Sequence, residues 1–328
     1  MTHPSLSVEA IAAHVAAAYA WPAPPAVSLI RDGQAASSIY RVEAADGPRI
    51  LRVYGPPPHS APGWIAAELA MLSFLERQGL AVAAPCPQAD GSLMLTISDG
   101  AAARPAALFA FADGSPRWPP TEAESFALGA ALARIHGSLD AFAIPPGART
   151  YDAAQLIDRP LSLMLPFVPA AADQAFLREL GAEIGAALAA IPQAAPWHGM
   201  LHGDVHQGNV HFDDAGAPTF FDFALCGAGW RVFDFTGFLW PLRDDSIGQP
   251  GVRAACREFL AGYESVRPLA PAERAAIGAC VRARDFWETA DWIASDQGAE
   301  SAVFEDWLRT LLERFRRGPV SLDALGAD

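Results

Sequence analysis

Lysine is absent from this chain: all 23 basic side chains among its 328 residues are arginines. They are outnumbered by 37 aspartates and glutamates, which gives a net charge of −14. A surface of this sign repels nucleic acids and anionic lipid head groups, so neither is an expected partner. The acidic excess would favour a cationic ligand, unless it only keeps the surface soluble.

Cysteines and long apolar runs are also scarce. The four cysteines lie at positions 86, 226, 256 and 280 and form no C-x-x-C pair, so a disulfide framework is not expected. No apolar run approaches the roughly 20 residues of a membrane span, and the first residues lack the pattern of a secretory signal. We therefore expect a cytoplasmic protein. Apolar residues make up 52% of the chain, which is enough for a full core.

Short β-type runs and helical patterns divide the chain in two. The β-type runs of the first part lie at 27–30, 38–43, 49–54, 92–97 and 106–111. Helices are predicted there over 6–20 and 62–79. Later helices are predicted over 121–138, 152–164, 171–191, 251–263, 271–294 and 301–317, with short β runs at 209–212 and 219–223. We predict an α+β fold with an N-terminal lobe of residues 1–111, built on a small antiparallel sheet, and a mainly helical C-terminal lobe of residues 112–328.

The most informative stretch, 197–229, interrupts the helical patterns. Asp204 and Asn209 lie five residues apart in a glycine-containing loop, and Asp222 follows thirteen residues later, at the end of the next β run. Phosphoryl transfer from ATP needs a carboxylate that orients or deprotonates a hydroxyl group, together with oxygen ligands for Mg²⁺. The spacing therefore predicts Asp204 as the catalytic base and Asn209 and Asp222 as metal ligands.

This stretch resembles a known family. The run at 202–209 is similar to the H-G-D-x-x-x-x-N motif of the aminoglycoside phosphotransferase and choline kinase superfamily. Residues 221–227 and 281–287 are most similar to its stress-response kinase A and homoserine kinase type II branch, which carries a second acidic residue where this chain has Ala224. The resemblance implies a bilobal, protein-kinase-like fold that binds ATP and Mg²⁺. It also implies that Asp234 braces the catalytic loop, and we expect His202 to orient that loop by hydrogen bonding.

The resemblance extends to the N-terminal region. Arg52 falls where many kinases carry the lysine that holds the phosphates of ATP, and an arginine can also bind phosphate oxygens. Glu68, in the middle of the predicted helix 62–79, is the candidate partner that positions Arg52. Ser37 and Ser38 end the loop 32–38, which is expected to cover the phosphates.

The predicted hinge between the lobes is residues 108–111. Phe109 and Ala110 would offer backbone groups to the adenine ring. The predicted ATP-binding residues are therefore Arg52, Glu68, Ser37, Ser38, Phe109 and Ala110.

Two other classes of protein remain open at this point. Zinc hydrolysis is one, because His198, His202, His206 and His211 are closely spaced, although Gly203 and Gly208 interrupt any helix that would align them. The other is a nucleotide-binding pseudokinase without turnover, which the arginine at 52 and the alanine at 224 would allow. The intact aspartates and asparagine of the motif argue against it.

The phosphate acceptor is the least defined prediction. An amino alcohol such as homoserine or choline, an aminoglycoside-like antibiotic, a sugar derivative, or a serine or threonine of a protein would each supply a hydroxyl group. The acidic composition favours a cationic small molecule. Asp285, Glu288 and Asp291, in the predicted helix 271–294, could bind an amine or form a solvated acidic face.

Overall fold

The structure is a computed structural model, and it describes residues 6–33, 37–56, 60–100, 102–243, 245–294, 302–318 and 322–325. The chain forms two compact units. The first comprises residues 1–113 together with the segments 145–147 and 219–224, and the second comprises residues 114–144, 148–218 and 225–328. The first unit is therefore not continuous in sequence, unlike the predicted lobe of residues 1–111.

An antiparallel sheet of five strands dominates the first unit. Helix α1 (Val8–Ala18) precedes it, and α2 (Pro62–Arg77) lies within its sequence. The strands are β1 (Ala26–Arg31), β2 (Ser38–Ala44), β3 (Gly47–Val53), β4 (Leu95–Asp99) and β5 (Ala102–Ala110). Their spatial order is β1-β2-β3-β5-β4, and each neighbouring pair is antiparallel. The predicted small antiparallel sheet is confirmed.

One face of this sheet is apolar because side chains alternate along each strand. Tyr40 and Val42 of β2 and Leu51 of β3 are buried on that face. Ile11 and Val15 of α1 pack against it, and neither has exposed surface. Each fully buried branched side chain contributes about 1.5–3 kcal/mol, so α1 is held by its apolar face.

Residues 219–224 join the first unit through main-chain hydrogen bonds. The amide of Phe220 donates to the carbonyl oxygen of Ala81 at 3.0 Å, and the amide of Ala83 donates to the carbonyl oxygen of Phe220 at 2.8 Å. The Phe220 ring is buried. Asp222, two residues later, is therefore placed in the first unit.

The second unit is mainly helical, as predicted. Its helices are α3 (Glu122–Leu139), α4 (Arg159–Met164), α5 (Ala171–Ala189), α6 (Phe235–Phe238), α7 (Val252–Val266), α8 (Pro271–Ala294) and α9 (Ala302–Arg317). A capping box begins α3: Thr121 Oγ1 accepts from the amide of Glu124 at 3.2 Å, and Glu124 Oε2 accepts from the amide of Thr121 at 2.9 Å. The predicted helix 152–164 differs, because a π-helical turn at 154–158 precedes α4.

Short strands complete the architecture. They are β6 (Arg149–Tyr151), β7 (His198–Leu201), β8 (Val210–Phe212), β9 (Pro218–Phe220) and β10 (Gly227–Trp230). A three-stranded sheet has the order β6-β10-β7, with β10 parallel to β6 and antiparallel to β7. β7 leads directly into the loop 202–209. Among the described residues, no helix is both long and apolar enough to cross a membrane.

Candidate active site

The loop 202–209 is anchored at its start by Asp234. The Asp234 carboxylate accepts hydrogen bonds from the backbone amides of His202, at 2.8 Å, and Gly203, at 2.6 Å. His136 Nε2 lies 3.0 Å from the same carboxylate. Burial alone would raise the pKa of Asp234, but the bonds from His136 and Gly203 outweigh it and lower that pKa. Asp234 is therefore an ionised, buried acceptor for this loop.

Gly203 gives the loop its shape. Its φ of +83° lies in the left-handed region, which glycine adopts without strain. A Cβ atom at this position would lie 2.8 Å from the Tyr151 hydroxyl oxygen and closer still to the carbonyl oxygen of Leu225. The next residue, Asp204, projects from this tight turn.

Asp204 is surrounded by donors. Arg284 Nη2 lies 2.6 Å from Oδ1, Asn209 Nδ2 lies 3.1 Å from Oδ2, and His206 Nε2 lies 3.4 Å from Oδ2. Burial would raise the pKa of Asp204, but the hydrogen bond from His206 and the positive charge of Arg284 lower it well below its usual range. Asp204 is therefore a carboxylate at neutral pH.

Asn209 and His202 hold the rest of the loop. Asn209 Nδ2 also donates to the carbonyl oxygen of Asp204 at 3.0 Å, so its amide nitrogen faces Asp204 and its oxygen faces away. His202 Nδ1 accepts from the amide of Asp204 at 3.2 Å. The structure thus brings Asp204, Asn209, His202 and Asp234 together in the second unit.

A second cluster lies in the first unit around Arg52. Arg52 Nη1 lies 2.6 Å from Glu68 Oε1, and Arg52 Nη2 lies 2.6 Å from Asp222 Oδ1. Tyr54 donates a hydrogen bond to Glu68 Oε2 at 2.9 Å. Burial alone would lower the pKa of Arg52, but the negative charges of Asp222 and Glu68 outweigh burial and raise that pKa above its usual value, so the guanidinium stays charged. The predicted Arg52–Glu68 pair is present, and Asp222 joins it.

Asp222 has an unusual backbone. Its φ of +59° is in the left-handed region, which aspartate tolerates better than most residues. Arg31 Nη2 lies 3.6 Å from Asp222 Oδ2, on an arginine that is largely exposed. Non-glycine residues in this conformation concentrate at functional sites, which makes Asp222 a site candidate on its geometry alone.

The predicted loop 32–38 is described at its two ends, and residues 34–36 lie outside the described part of the chain. Ser38 Oγ donates to Asp32 Oδ1 at 3.1 Å. Ser37 comes close to Gly33, since a Cβ there would lie 2.8 Å from the Ser37 amide nitrogen. Glycine is therefore needed where the two ends of the loop meet.

The predicted hinge, 108–111, covers the last three residues of β5 and the residue after it. The Arg52 guanidinium lies 5.6 Å from the centre of the Phe109 ring, so Phe109 and Arg52 share one face of the sheet. The amide of Ala110 donates to the carbonyl oxygen of Ala84 at 2.8 Å. Because the amide of Ala110 has this partner, the backbone group of Ala110 that we consider for adenine is its carbonyl oxygen.

The closely spaced histidines do not assemble a metal site. Within the described residues, no group of three or more histidine, cysteine, aspartate or glutamate side chains is placed to hold a metal ion. His206 Nδ1 accepts from the amide of Gly208 at 2.9 Å, and the His198 ring meets the Trp230 ring edge-on at 5.7 Å. His206 Nε2 faces Asp204, as described above, so both nitrogens of the His206 ring have partners within the loop.

Two of the three acidic residues considered on α8, Asp285 and Glu288, are paired with arginines, and the third, Asp291, is exposed. Asp285 is buried and lies 3.1 Å from Arg243 Nη1, and Glu288 Oε1 lies 2.6 Å from Arg284 Nε. Asp285 and Glu288 are therefore neither a simple solvated face nor an open amine site. Arg284 lies in the run 281–287 that resembles the homoserine kinase type II branch, but no role was predicted for it. Its further local signal is the i,i+4 spacing from Glu288.

Most of the chain matches the model of one known enzyme family. The family model of the phosphotransferase enzyme family (APH) matches residues 26–269. The chain belongs to this family. The motif at 202–209, Arg52 and Asp222 all lie within the matched region, and the predicted membership and enzyme class, a phosphotransferase, are confirmed.

One named relative and two solved structures are also similar to this chain. A homoserine kinase of Neisseria meningitidis serogroup B is 30% identical over 226 residues, which is 67% of this chain and 68% of that protein. A microcompartment-associated aminopropanol kinase has a TM-score of 0.75 at 22% identity, covering 94% of this chain and 97% of that one. The amicoumacin kinase hAmiN, solved in complex with AMP-PNP, Ca²⁺ and Ami, has a TM-score of 0.72 at 20% identity, covering 90% of each chain. These two structures support the fold prediction.

Proposed function

We propose that this phosphotransferase moves the γ-phosphate of ATP, bound with Mg²⁺, to a hydroxyl group of a small molecule. The observation that carries the proposal is the environment of Asp204, an ionised carboxylate fixed by Asn209 and Arg284 on a loop that Asp234 anchors. Similar proteins include a homoserine kinase, an aminopropanol kinase and an amicoumacin kinase, and these support a small hydroxyl-bearing acceptor.

Asp204 is the proposed catalytic base. Because its pKa is lowered, it is a weak base and would not remove a hydroxyl proton before transfer begins. It would instead orient the acceptor hydroxyl and take its proton as the new oxygen–phosphorus bond forms. Most of the rate enhancement then comes from positioning and charge stabilisation.

Asn209 and Asp222 are the proposed ligands of Mg²⁺. The donor set fits this ion, because an amide oxygen and a carboxylate are hard oxygen ligands. The Asn209 oxygen faces away from Asp204, as a ligand would require. When bound, the metal would neutralise charge on the transferred phosphate. Ala224 adds no side-chain ligand, so we assign no further protein ligand there.

Arg52 is the proposed phosphate-binding cation. Its fork of donors suits phosphate oxygens, and Glu68 holds one arm of it. The other arm contacts Asp222, so nucleotide binding would redistribute the Arg52–Asp222 pair: Arg52 toward phosphate and Asp222 toward the metal. Ser37 and Ser38 are proposed to cover the phosphates, and Phe109 and Ala110 to meet the adenine.

An amino alcohol is the acceptor class that we favour. Polycationic aminoglycosides would need unpaired carboxylates near the acceptor site, whereas Asp285 and Glu288 of α8 are already neutralised by arginines. A small acceptor with one amine, such as homoserine or aminopropanol, requires less negative charge. The 30% sequence identity to a homoserine kinase also favours an amino alcohol.

A coupled assay of ADP release tests the proposal. Purified protein with ATP and Mg²⁺ is screened against homoserine, aminopropanol, choline, aminoglycosides and simple sugars. We expect ADP release to rise well above background with at least one amino alcohol, and to stop on removal of Mg²⁺ with EDTA. Nucleotide binding without ADP release for any acceptor would instead support the pseudokinase alternative.

A further inference from the structure

Arg284 of α8 lies against the catalytic loop, although 80 residues separate it from Asp204 in sequence. Each of its three nitrogens has a partner: Nη2 donates to Asp204 Oδ1, Nη1 to the carbonyl oxygen of Gly203, and Nε to Glu288 Oε1, each at 2.6 Å. Its guanidinium also lies 5.1 Å from the centre of the Trp287 ring. Arg284 is only 6% exposed, so these contacts fix the orientation of its side chain.

The pair of bonds to Gly203 and Asp204 constrains two things at once. One bond holds the loop backbone and the other holds the carboxylate, so rotation of the Asp204 side chain would break a buried, charge-assisted hydrogen bond. A lysine could not make both bonds in this geometry, because its donors radiate from one nitrogen. Arg284 therefore sets both the place and the direction of the carboxylate.

Arg284 is itself held by a chain of alternating charges, which we call the α8 ladder: Asp204, Arg284, Glu288, Arg243, Asp285 and Arg314. Glu288 Oε2 lies 3.1 Å from Arg243 Nη1, and that nitrogen also lies 3.1 Å from Asp285 Oδ1. Arg314 of α9 lies 3.2 Å from Asp285 Oδ1. Three carboxylates alternate with three guanidinium groups, so each charge in this poorly solvated region has an opposite neighbour.

We propose that Arg284 is a positioning residue for the transfer: it fixes the Asp204 carboxylate in the orientation that receives the acceptor hydroxyl, and Glu288 fixes Arg284. This inference rests on the proposed function. With Arg284 on Oδ1, the hydroxyl approaches Oδ2, the oxygen that Asn209 and His206 also face. In the step, the acceptor oxygen bonds to the γ-phosphorus as the bond from that phosphorus to the β,γ-bridging oxygen breaks. The hydroxyl proton passes to Asp204 and then to solvent.

The test compares Arg284→Gln and Glu288→Gln with Arg274→Gln, a matched control on the same helix whose arginine pairs with Glu264 at the surface. Steady-state kcat and KM are measured at neutral pH with the acceptor found in the screen. A misplaced catalytic carboxylate slows the transfer step without weakening nucleotide binding. For Arg284→Gln we therefore expect kcat lowered roughly 100-fold with the KM for ATP within about threefold of wild type. Glu288→Gln should lower kcat by less at a similarly unchanged KM for ATP, and Arg274→Gln should change neither.

Two readouts separate this inference from the proposed function and from a folding defect. Thermal unfolding checks that each variant folds. Arg284→Lys keeps the positive charge but cannot make both bonds, so it should recover only part of the lost kcat, and it replaces Arg284→Gln if that variant does not fold. The carbon-13 NMR chemical shift of the Asp204 carboxylate at neutral pH, assigned with Asp204→Asn, reports its surroundings without turnover, and it should change in Arg284→Gln but not in Arg274→Gln. A wild-type kcat or an unchanged carboxylate shift in folded Arg284→Gln would overturn the inference. A wild-type protein without transfer to any acceptor would overturn the proposed function, while the chemical shift would still decide whether Arg284 holds Asp204.

Discussion

Replacing Gly129 by alanine should separate two helices that support the catalytic loop. Gly129 lies in α3 where it crosses α7. A Cβ atom there would lie 2.8 Å from the amide nitrogen of Tyr263 and closer still to the carbonyl oxygen of Phe259. Both neighbours are backbone atoms of α7, so no side-chain rotation can make room for the methyl group.

The size of the effect follows from two opposing contributions. Overpacking at a close backbone contact costs typically 1–3 kcal/mol or more. Alanine is the better helix former by about 1 kcal/mol, which offsets part of that cost. Because the contact with the Phe259 carbonyl oxygen is so close, the cost lies at the upper end of that range, about 3 kcal/mol, and the expected net loss in the free energy of unfolding is about 2 kcal/mol. Turnover should fall as well, because α3 carries His136, which contacts both Tyr263 and Asp234.

Gly137→Ala in the same helix is the matched control. A Cβ at Gly137 would have no atom within 4 Å, so only helix propensity acts, and the change should stabilise the protein by roughly 0.5–1 kcal/mol. Urea unfolding monitored by circular dichroism measures both variants. Equal stability of Gly129→Ala and Gly137→Ala would refute the α3–α7 packing described above.

Three further predictions concern the two clusters. Asp234→Ala leaves the buried amides of His202 and Gly203 without their acceptor, and each unpaired donor costs about 1–3 kcal/mol. Urea unfolding should therefore show that the free energy of unfolding falls by at least about 2 kcal/mol. A change near zero would contradict the anchoring contact. Burial lowers the pKa of His136 to about 4, below the value of about 6.5 expected in the unfolded chain. Between these two values the unfolded state binds one more proton than the folded state. The free energy of unfolding should therefore fall as the pH drops from about 6.5 toward 4. His136→Gln should flatten that slope in pH-dependent urea unfolding, and an unchanged slope would exclude His136 as its source. Arg52→Lys cannot contact Glu68 and phosphate through a fork of donors, so the Kd for ATP measured by calorimetry should rise about tenfold, whereas an unchanged Kd would remove Arg52 from the nucleotide site.

The parts of the site that are local in sequence were predictable. Asp204 and Asn209 share one loop, so their spacing alone predicts that their side chains lie close together, and they do. The capping box at Thr121 and Glu124 was equally readable, because its two hydrogen bonds depend on residues three positions apart. Arg52 and Glu68 required the family resemblance, because a strand arginine and a helix glutamate are common on protein surfaces.

The parts that depend on distant residues were not predictable. Arg284 reaches Asp204 from a helix that reads as an ordinary charged face, and no local pattern distinguishes a buried guanidinium from a solvated one. Strand β10 was missed because glycine has a low β propensity. Gly229 is required there by packing, since a Cβ would lie 2.8 Å from the Tyr151 Cβ. Residues 219–224 join the first unit through backbone bonds to Ala81 and Ala83, which sequence patterns cannot show.

Phosphate transfer by Asp204→Asn tests the central claim most directly. Wild type, Asp204→Asn and the exposed-turn control Asp214→Asn are incubated with ATP, Mg²⁺ and the amino alcohol selected by the screen, and phosphorus-31 NMR follows the phosphomonoester. We expect the product with wild type and Asp214→Asn, and a rate at least about 1,000-fold lower with Asp204→Asn at unchanged ATP affinity. Product formed by Asp204→Asn at the wild-type rate would contradict the assignment of Asp204 as the residue that receives the acceptor hydroxyl.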